Sequence, residues 1–329
     1  MSLPVAYQAP GKLMLCGEYA VLEGASAIVA AVDRFAVIGA TADAVQQVQF
    51  RGPVAVAGSF RRDGAGLRWI GEVADVSALF DCVYANLPFE QAVSLVVYST
   101  DLYDGGRKLG LGSSAAVTVA LGQVFARIAG HIDVVASINA AHRQFQKGAG
   151  SGADIACSMA GGVIAFRRDV PVQQLDWPAG LYMAAIQQPV SASTMKRIAR
   201  LRQWQAEAIN AEGLMQVLAQ TAEQTASCWR RGDATAIIDG LDSYTDQMTR
   251  IDAEAALGYV NADHARCLDA AREAGVSYKP CGAGGGDFGI AYSEDAEALA
   301  AFVPPVGEKV AIDIGRARPR WLDAASLGL

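Results

Sequence analysis

A glycine- and serine-rich segment of this chain leads directly into a long apolar run without charge. The segment, residues 108–117, reads KLGLGSSAAV. Glycines permit a tight turn in which backbone N–H groups converge, and the start of a helix adds unpaired N–H groups and the positive end of its dipole. The pattern predicts a phosphate-binding turn made of Gly110, Leu111, Gly112, Ser113, Ser114 and Ala115. A tight turn with a serine cap is the alternative that so short a motif leaves open.

The same segment limits the other ligands and folds to be considered. Ser113 or Ser114 could supply a hydroxyl to Mg²⁺, a cation that takes oxygen ligands and usually keeps several waters. The chain lacks the G-x-x-x-x-G-K-[ST] motif of P-loop enzymes, and these glycines do not match the spaced G-x-G-x-x-G of dinucleotide folds. Residues 109–126 carry no charge, but their glycines and serines favour a buried helix after a turn over a membrane span.

The overall composition favours a protein that acts on small molecules. With 329 residues, 52% hydrophobic and 19% charged, the chain can bury a large core, and its length predicts two packed domains. A formal net charge of -7 gives no electrostatic footprint for nucleic acid or for an anionic membrane, so we expect neither as a partner. The first residues contain no basic region followed by an apolar one, so nothing indicates export.

Cysteine and histidine usage argues against a metal centre. The six cysteines are widely scattered, with no C-x-x-C pair and no histidine placed to complete a site. They are typical of buried thiols in a reducing compartment, which predicts a cytoplasmic protein. The three histidines, His131, His142 and His264, lie outside any motif, so we expect a carboxylate or a lysine to carry any proton transfer.

The hydrophobic pattern changes along the chain. Apolar runs at 27–40, 92–98 and 162–166 predict strands, and the periodicity at 114–128 and 133–146 predicts helices capped by Ser113 or Ser114 and by Asp133. Prolines at 171 and 178 mark a candidate boundary near residue 175.

The second half begins with a helical block and ends in alternating elements. The block covers residues 193–250, with breaks at Gly213 and at Gly232-Asp233. A helix at 262–274, strands at 276–281 and 287–292, a helix at 295–302 and a strand at 309–314 follow. This alternation predicts an α+β fold with helices on one face of a sheet.

Three further features could carry chemistry. Lys12 follows a predicted Pro10-Gly11 turn at the start of an apolar strand, where it could pair with a phosphate or remain a solvated cation. Asp154 follows a glycine-serine turn, where it could cap a helix or orient a proton of the attacking group. Residues 279–291, KPCGAGGGDFGIA, contain a glycine cluster that allows close backbone approach to a ligand, or forms a plain hairpin loop.

Taken in order, these motifs resemble the GHMP kinase superfamily. APGKLMLCGEYAVLEG resembles its first motif, LGLGSSAAVTVA its ATP phosphate loop, and CGAGGGDFGIAY its third glycine-rich motif. GEYAVLEG, Lys108, GSGADIA around Asp154 and GAGGGD ending in Asp287 resemble the phosphomevalonate kinase branch. The A-S-T element at residues 192–194 is also similar, although Gln187-Gln-Pro replaces the usual tryptophan-containing lead-in.

The resemblance implies a fold and residue roles. The expected fold has a ribosomal-S5-like N-terminal ATP-binding domain at residues 1–175 and a ferredoxin-like C-terminal domain at residues 176–329. Lys12 and Asp154 would act at the acceptor phosphate, and Ser113 or Ser114 would hold Mg-ATP. The remaining candidates for binding the substrate are Lys108, Ser151, Ser193, Thr194, Gly284, Gly285 and Asp287.

The reaction that the resemblance implies is phosphorylation of 5-phosphomevalonate by ATP to give 5-diphosphomevalonate, in the mevalonate route to isoprenoids. Mevalonate kinase or another small-molecule kinase of the superfamily is the alternative enzyme, and a catalytically silent ligand-binding homologue is the alternative without activity. Lys12, Ser113, Ser114 and Asp154 together argue against the silent homologue. The expected partner is a small phosphorylated acceptor. The sequence leaves open whether the chain is a monomer or a homodimer.

Overall fold

The computed structural model describes residues 3–52, 55–63, 66–71, 77–148, 150–191 and 194–329. Its helices are α1 (Ser77–Asn86), α2 (Ser113–Ala129), α3 (Val135–Phe145), α4 (Ala153–Ala160), α5 (Thr194–Glu207), α6 (Ala211–Arg231), α7 (Ala234–Ala255), α8 (Ala262–Glu273) and α9 (Ala296–Ala301). Its strands up to residue 108 are β1 (Val5–Cys16), β2 (Ala27–Ala42), β3 (Gln47–Arg51), β4 (Ala55–Asp63), β5 (Gly66–Ile70), β6 (Val93–Tyr98), β7 (Tyr103–Asp104) and β8 (Arg107–Lys108). The later strands are β9 (Val163–Phe166), β10 (Gln173–Leu175), β11 (Tyr182–Gln187), β12 (Ser277–Pro280), β13 (Phe288–Ser293), β14 (Glu308–Val310) and β15 (Arg320–Leu322).

The first of two compact units contains residues 1–12, 32–161 and 317–329. Its strands lie in the order β2-β6-β3-β4-β5, in which β3 and β6 are parallel and the other pairs are antiparallel. At the other end of the chain, β15 pairs with β1 through Ala6 and Leu322. Helix α2 is buried along most of its length, as the uncharged run predicts. Among the described residues, no helix is both long and apolar enough to cross a membrane.

The second unit contains residues 13–31 and 162–316. Its four-stranded antiparallel sheet has the order β12-β13-β11-β14. A buried cluster joins this sheet to α8 and α9, so helices cover a sheet face as predicted. Its members are Ile186, Cys267, Ala271, Val276, Tyr278, Ala291, Leu299 and Phe302. Residues 27–30 of β2 pair with β9 in the same unit.

The units are interleaved, because β1 and β2 each contribute residues to both. A single boundary near residue 175 does not separate them, since residues 13–31 group with the later part of the chain and residues 317–329 with the earlier part. The assignment of residues 1–175 and 176–329 to family domains stays a prediction.

Most predicted elements are present, and the differences lie at their ends. Helix α2 begins after Gly112 and has no side-chain cap, so neither predicted serine caps it. Helix α3 follows Val134, and Asp133 does not cap it. Gly213 lies in the first turn of α6 and does not interrupt this helix, so the break predicted there is wrong. The predicted break at Gly232-Asp233 is present, since Gly232 ends α6 and Asp233 caps α7. The last predicted strand is shorter, since only Glu308–Val310 pairs with β11.

Candidate active site

The predicted phosphate turn lies at the N-terminus of α2 in the first unit. Gly110 and Gly112 have φ values of 75° and 73°, in the left-handed region that favours glycine. The first hydrogen bond of α2 runs from Ala116 N to Gly112 O at 3.1 Å, so the N–H groups before it have no partner inside the helix. Gly110 is exposed and both serines are half-buried, which leaves the turn open to a ligand. An open helix N-terminus with free donors suits a phosphate group.

Lys12 lies directly beside this turn. Its N–H donates to Leu111 O at 2.8 Å, and its side chain passes so close to Gly112 that a Cβ there would meet Lys12 Cγ and Cε at 3.1 Å. Pro10-Gly11 forms no turn, because both residues continue β1 and Lys12 lies inside that strand. Gly11 is needed for the close approach, since its Cβ would come within 2.7 Å of Leu111 O. The structure therefore fixes the lysine and the turn to each other.

Asp154 lies in the first turn of α4 and points towards α3. Its Oδ1 accepts a hydrogen bond from Ile155 N at 3.0 Å, and its Oδ2 lies 3.9 Å from His142 Nε2. Gly152 is the N-cap of α4, so Asp154 does not have the capping role that the sequence left open. Its side chain is 20% exposed. The carboxylate is thus both anchored and accessible.

His142 joins Asp154 to the phosphate turn. The Nε2 atom that faces Asp154 also lies 3.2 Å from Ser114 Oγ. The imidazole is 2% exposed, and this burial lowers its pKa, against the opposing effect of the Asp154 carboxylate. The arrangement differs from a hydrolase triad, in which the carboxylate orients the histidine through Nδ1 while Nε2 faces the serine.

Cys157 lies where it is affected by the charges of both Lys12 and Asp154. This thiol is fully buried in α4, and burial raises its pKa. The Lys12 ammonium lowers that pKa and the Asp154 carboxylate raises it, so both charges act on one buried sulfur atom. The charge of Lys12 therefore acts on the same helix, α4, that carries Asp154.

Two residues of the first unit that were predicted to bind the substrate lie close in sequence to the candidate site, Ser151 before Asp154 and Lys108 before the phosphate turn. Ser151 Oγ accepts a hydrogen bond from Ala153 N at 3.3 Å, at the start of α4. Lys108 is exposed in the short β7–β8 hairpin, where it pairs with Tyr103 shortly before the phosphate turn. Both residues are placed by the two loops that carry the candidate site.

The third glycine-rich motif lies in the second unit and is mostly buried. Gly285 N donates to Tyr259 O at 2.7 Å, Gly286 N to His264 Nε2 at 3.2 Å, and Asp287 N to Val190 O at 2.7 Å. A Cβ at Gly284 would collide with Tyr259. These glycines permit close protein packing, and any contact with a substrate would have to use groups other than these three N–H donors.

The structure describes only Thr194 of the A-S-T element. Thr194 is exposed and is the first residue of α5 in the second unit, whereas Ala192 and Ser193 lie outside the described residues. Arg197 on the same helix donates to Leu257 O at 3.1 Å and to Gly285 O at 3.4 Å. It therefore ties the start of α5 to the glycine-rich loop.

A buried ion pair supports that loop, and sequence reasoning missed it. Lys279 Nζ lies 2.5 Å from Glu18 Oε1, and the same oxygen accepts from Gly282 N at 3.3 Å. Tyr19 OH donates to Ala283 O at 2.7 Å. The GEY segment of the first motif thus anchors the third motif, a role that only the folded structure reveals.

The described residues suit a magnesium ion held mainly by a nucleotide. They contain no cluster of three or more His, Cys, Asp or Glu side chains that could hold a metal alone. Mg²⁺ is commonly bound by substrate phosphates, waters and one or two protein oxygens. The half-buried hydroxyls of Ser113 and Ser114 at the phosphate turn meet that limited requirement.

Comparisons with known proteins find similarity in this part of the chain and along its whole length. Residues 80–162, which include α2, His142 and Asp154, match the family model for the GHMP kinases N terminal domain. The chain is 28% identical to a phosphomevalonate kinase of Streptomyces sp. (strain CL190) over 377 aligned positions, covering 99% of this chain and 96% of the relative.

Solved structures show the same fold. The Lin0012 protein of Listeria innocua has a TM-score of 0.83 at 19% identity, covering 98% of this chain and 100% of that one. Streptococcus pneumoniae phosphomevalonate kinase, in complex with phosphomevalonate and AMPPNP, has a TM-score of 0.75 at 18% identity, covering 93% and 99%. The expected resemblance and the α+β fold are therefore confirmed.

Proposed function

We propose that this chain, which has the fold of the GHMP kinases, is a phosphotransferase that transfers the γ-phosphoryl group of ATP to 5-phosphomevalonate. The products are ADP and 5-diphosphomevalonate. The observation that carries the proposal is the contact of Lys12 with Gly112 in the phosphate turn, next to the Ser114–His142–Asp154 contacts. The similarity to a phosphomevalonate kinase along nearly the whole chain supports this choice of acceptor.

The charges at the site suit a phosphorylated acceptor. A phosphate monoester has its second pKa near 6, so its attacking oxygen is ionised at neutral pH and needs no strong base. Positioning and charge neutralisation then dominate the reaction. Lys12 provides the positive charge, and Asp154, anchored by Ile155 N, orients groups rather than removing a proton.

The transfer step makes one bond and breaks one. An oxygen of the acceptor phosphate forms a bond to the γ-phosphorus, and the bond from that phosphorus to the β,γ-bridging oxygen breaks. The electron pair leaves with ADP. The free N–H groups at the start of α2 would hold the nucleotide's phosphates, and Lys12 would stabilise the charge on the transferred group.

Magnesium and the acceptor would use the remaining candidates. When bound, Mg²⁺ would neutralise charge on the β- and γ-phosphates, with Ser113 or Ser114 as its protein ligand. In the first unit, Lys108 and Ser151 would bind the acceptor's own phosphate. The substrate-binding roles of Ser193, Thr194, Gly284, Gly285 and Asp287 stay predictions from the sequence. We further propose that the enzyme works in the cytoplasm, because its scattered cysteines form no disulfide among the described residues.

An acceptor panel tests this proposal. ADP release is measured with mevalonate, 5-phosphomevalonate, homoserine and galactose, and with no acceptor as the control for ATP hydrolysis. We expect turnover only with 5-phosphomevalonate, together with new ³¹P resonances of a diphosphate. Turnover with mevalonate and with no other acceptor would show that the acceptor group is an alcohol and that the proposed acceptor is wrong. No turnover above the control would contradict kinase activity on this panel.

A further inference from the structure

His142 is one side chain that connects three helices. It lies on α3, and its Nε2 atom faces Ser114 of α2 at 3.2 Å and Asp154 of α4 at 3.9 Å. The ring is 2% exposed and stacks on Phe145, with a centroid distance of 6.4 Å and an interplanar angle of 30°. A buried ring held in this way can fix the relative positions of its two polar neighbours.

The surroundings determine which ring nitrogen carries the hydrogen. An ionised carboxylate only accepts hydrogen bonds, whereas a serine hydroxyl can donate or accept. A lone pair on Nε2 would face the Asp154 carboxylate, and a hydrogen there would face two oxygens. The neutral Nε2–H form is therefore favoured, and it donates to Ser114 Oγ.

This hydrogen bond has a consequence for Ser114. Once its Oγ accepts from His142, the hydroxyl keeps one lone pair and its own hydrogen for other partners. The helix at that point is also held by the hydrogen bond from Thr118 Oγ1 to Ser114 O at 2.7 Å. The hydroxyl is thus oriented from one side by the imidazole.

We propose that His142 is a positioning residue that holds Ser114 and Asp154 in register, and so aligns the nucleotide with the acceptor. The inference rests on the proposed function for the identity of these two ligands. His142 acts through its two neighbours, and it touches neither reactant. Misplacement of reacting groups by about 1 Å can lower a rate by about 100-fold, which makes such alignment a large effect.

The kinetic test compares two substitutions. His142→Gln places an amide N–H near the position of Nε2, whereas His142→Leu fills the space without a donor. We expect His142→Leu to lower kcat by about 10-fold to 100-fold while the Kd of a non-hydrolysable ATP analogue changes by less than about threefold. His142→Gln should recover most of the loss. His131→Gln, at an exposed position, is the matched control and should match the wild type.

Thermal unfolding and a double-mutant cycle separate positioning from packing. If both His142 variants lose equal activity and equal stability, His142 acts by packing alone and the proposal is wrong. In a Ser114→Ala background, His142→Leu should cause a smaller further loss of kcat than it does alone. Additive losses would contradict action through Ser114.

A spectroscopic test does not depend on the acceptor. The chain has only three histidines, so the imidazole ¹⁵N spectrum contains three ring systems, which His→Gln variants at 131, 142 and 264 assign. We expect His142 as the Nε2–H form, with a shift of its Nε2 resonance in Ser114→Ala. An Nδ1–H form would overturn the inference even if the acceptor panel succeeds, and the Nε2–H form would support it even if that panel fails.

Discussion

Lys279 and Glu18 form an ion pair in the interior of the second unit, with Nζ 2.5 Å from Oε1 and both side chains at most 1% exposed. Burial opposes the charged form of Lys279, yet the Glu18 carboxylate raises its pKa above the ordinary value. Lys279 Nζ also donates to Pro280 O at 2.8 Å, and Tyr244 OH donates to Glu18 O. The pair therefore joins the first and third motifs at a point without solvent.

Lys279→Met should reduce the free energy of unfolding by about 3–5 kcal/mol, because it leaves a buried carboxylate without its partner. Urea unfolding measures the change. The combined change Lys279→Met and Glu18→Leu should cost less than the sum of the two single changes. Arg62→Ala removes an exposed ion pair to Glu90 and should cost less than about 1 kcal/mol. An equal loss in the free energy of unfolding for Lys279→Met and Arg62→Ala would contradict the statement that burial makes the Lys279–Glu18 pair hard to break.

His264 should make stability depend on pH in the acid range. Burial lowers its pKa from the ordinary 6.5 to about 4, and its Nε2 accepts from Gly286 N. Between these two pKa values the unfolded chain binds a proton that the folded chain does not. The contribution of His264 to the free energy of unfolding is therefore fully present above pH 6.5 and is lost as the pH falls towards 4. The full loss is about 3 kcal/mol. Urea midpoints from pH 7 to pH 4.5 should fall more steeply in the wild type than in His264→Gln, and equal slopes would contradict this.

Gly112→Ala should weaken nucleotide binding. The added Cβ would meet the Lys12 side chain at 3.1 Å, at a backbone position with φ of +73°. We expect the affinity for a non-hydrolysable ATP analogue to fall by about tenfold or more, as for the loss of one hydrogen bond to a charged group. Gly130→Ala, at the opposite end of α2, has a similar φ of +78° but meets no atom within 4 Å. Gly130→Ala should lower the free energy of unfolding by about 1 kcal/mol through backbone strain, as Gly112→Ala should, but it should bind the analogue with normal affinity. Normal binding by Gly112→Ala would refute the phosphate turn.

Asp154→Asn should distinguish an orienting carboxylate from a general base. Loss of a general base usually lowers kcat by about 10²–10⁴-fold, whereas we expect a loss of about tenfold here because the acceptor phosphate is already ionised. Steady-state kinetics with 5-phosphomevalonate, together with equilibrium binding of the ATP analogue, measures this. A loss above about 10³-fold at unchanged nucleotide affinity would indicate proton removal and favour an alcohol acceptor.

The sequence predicted those parts of the site that depend on local backbone geometry. The glycine turn before α2 could be predicted because Gly110 and Gly112 adopt left-handed backbone conformations and lie directly before an apolar helix, and its binding of a phosphate stays a prediction. The long strands and helices could be predicted because their hydrophobic periodicity is local as well. The turn assigned to Pro10-Gly11 is wrong because the reason for Gly11 is its approach to Leu111 O, a contact made by residues far apart in the chain.

The missed residues depend on tertiary contacts. Nothing near His142 indicates that α3 packs its imidazole between Ser114 and Asp154, and no local pattern pairs Glu18 with Lys279. The glycine cluster at 282–286 could be recognised, but its packing against Tyr259 and Val190 could not, because those partners come from other segments. A single sequence shows where glycine is required without showing what approaches it.

The pairing of β1 with β15 has a consequence for biosynthesis. Ala6 is translated well before its partner Leu322. The first unit therefore cannot complete its sheet until residues 320–322 have been translated, although domains commonly fold as they emerge. Until β15 is made, residues 6–8 of β1 lack the partner strand that the native sheet gives them, and an unpaired strand edge of this kind can pair with other chains.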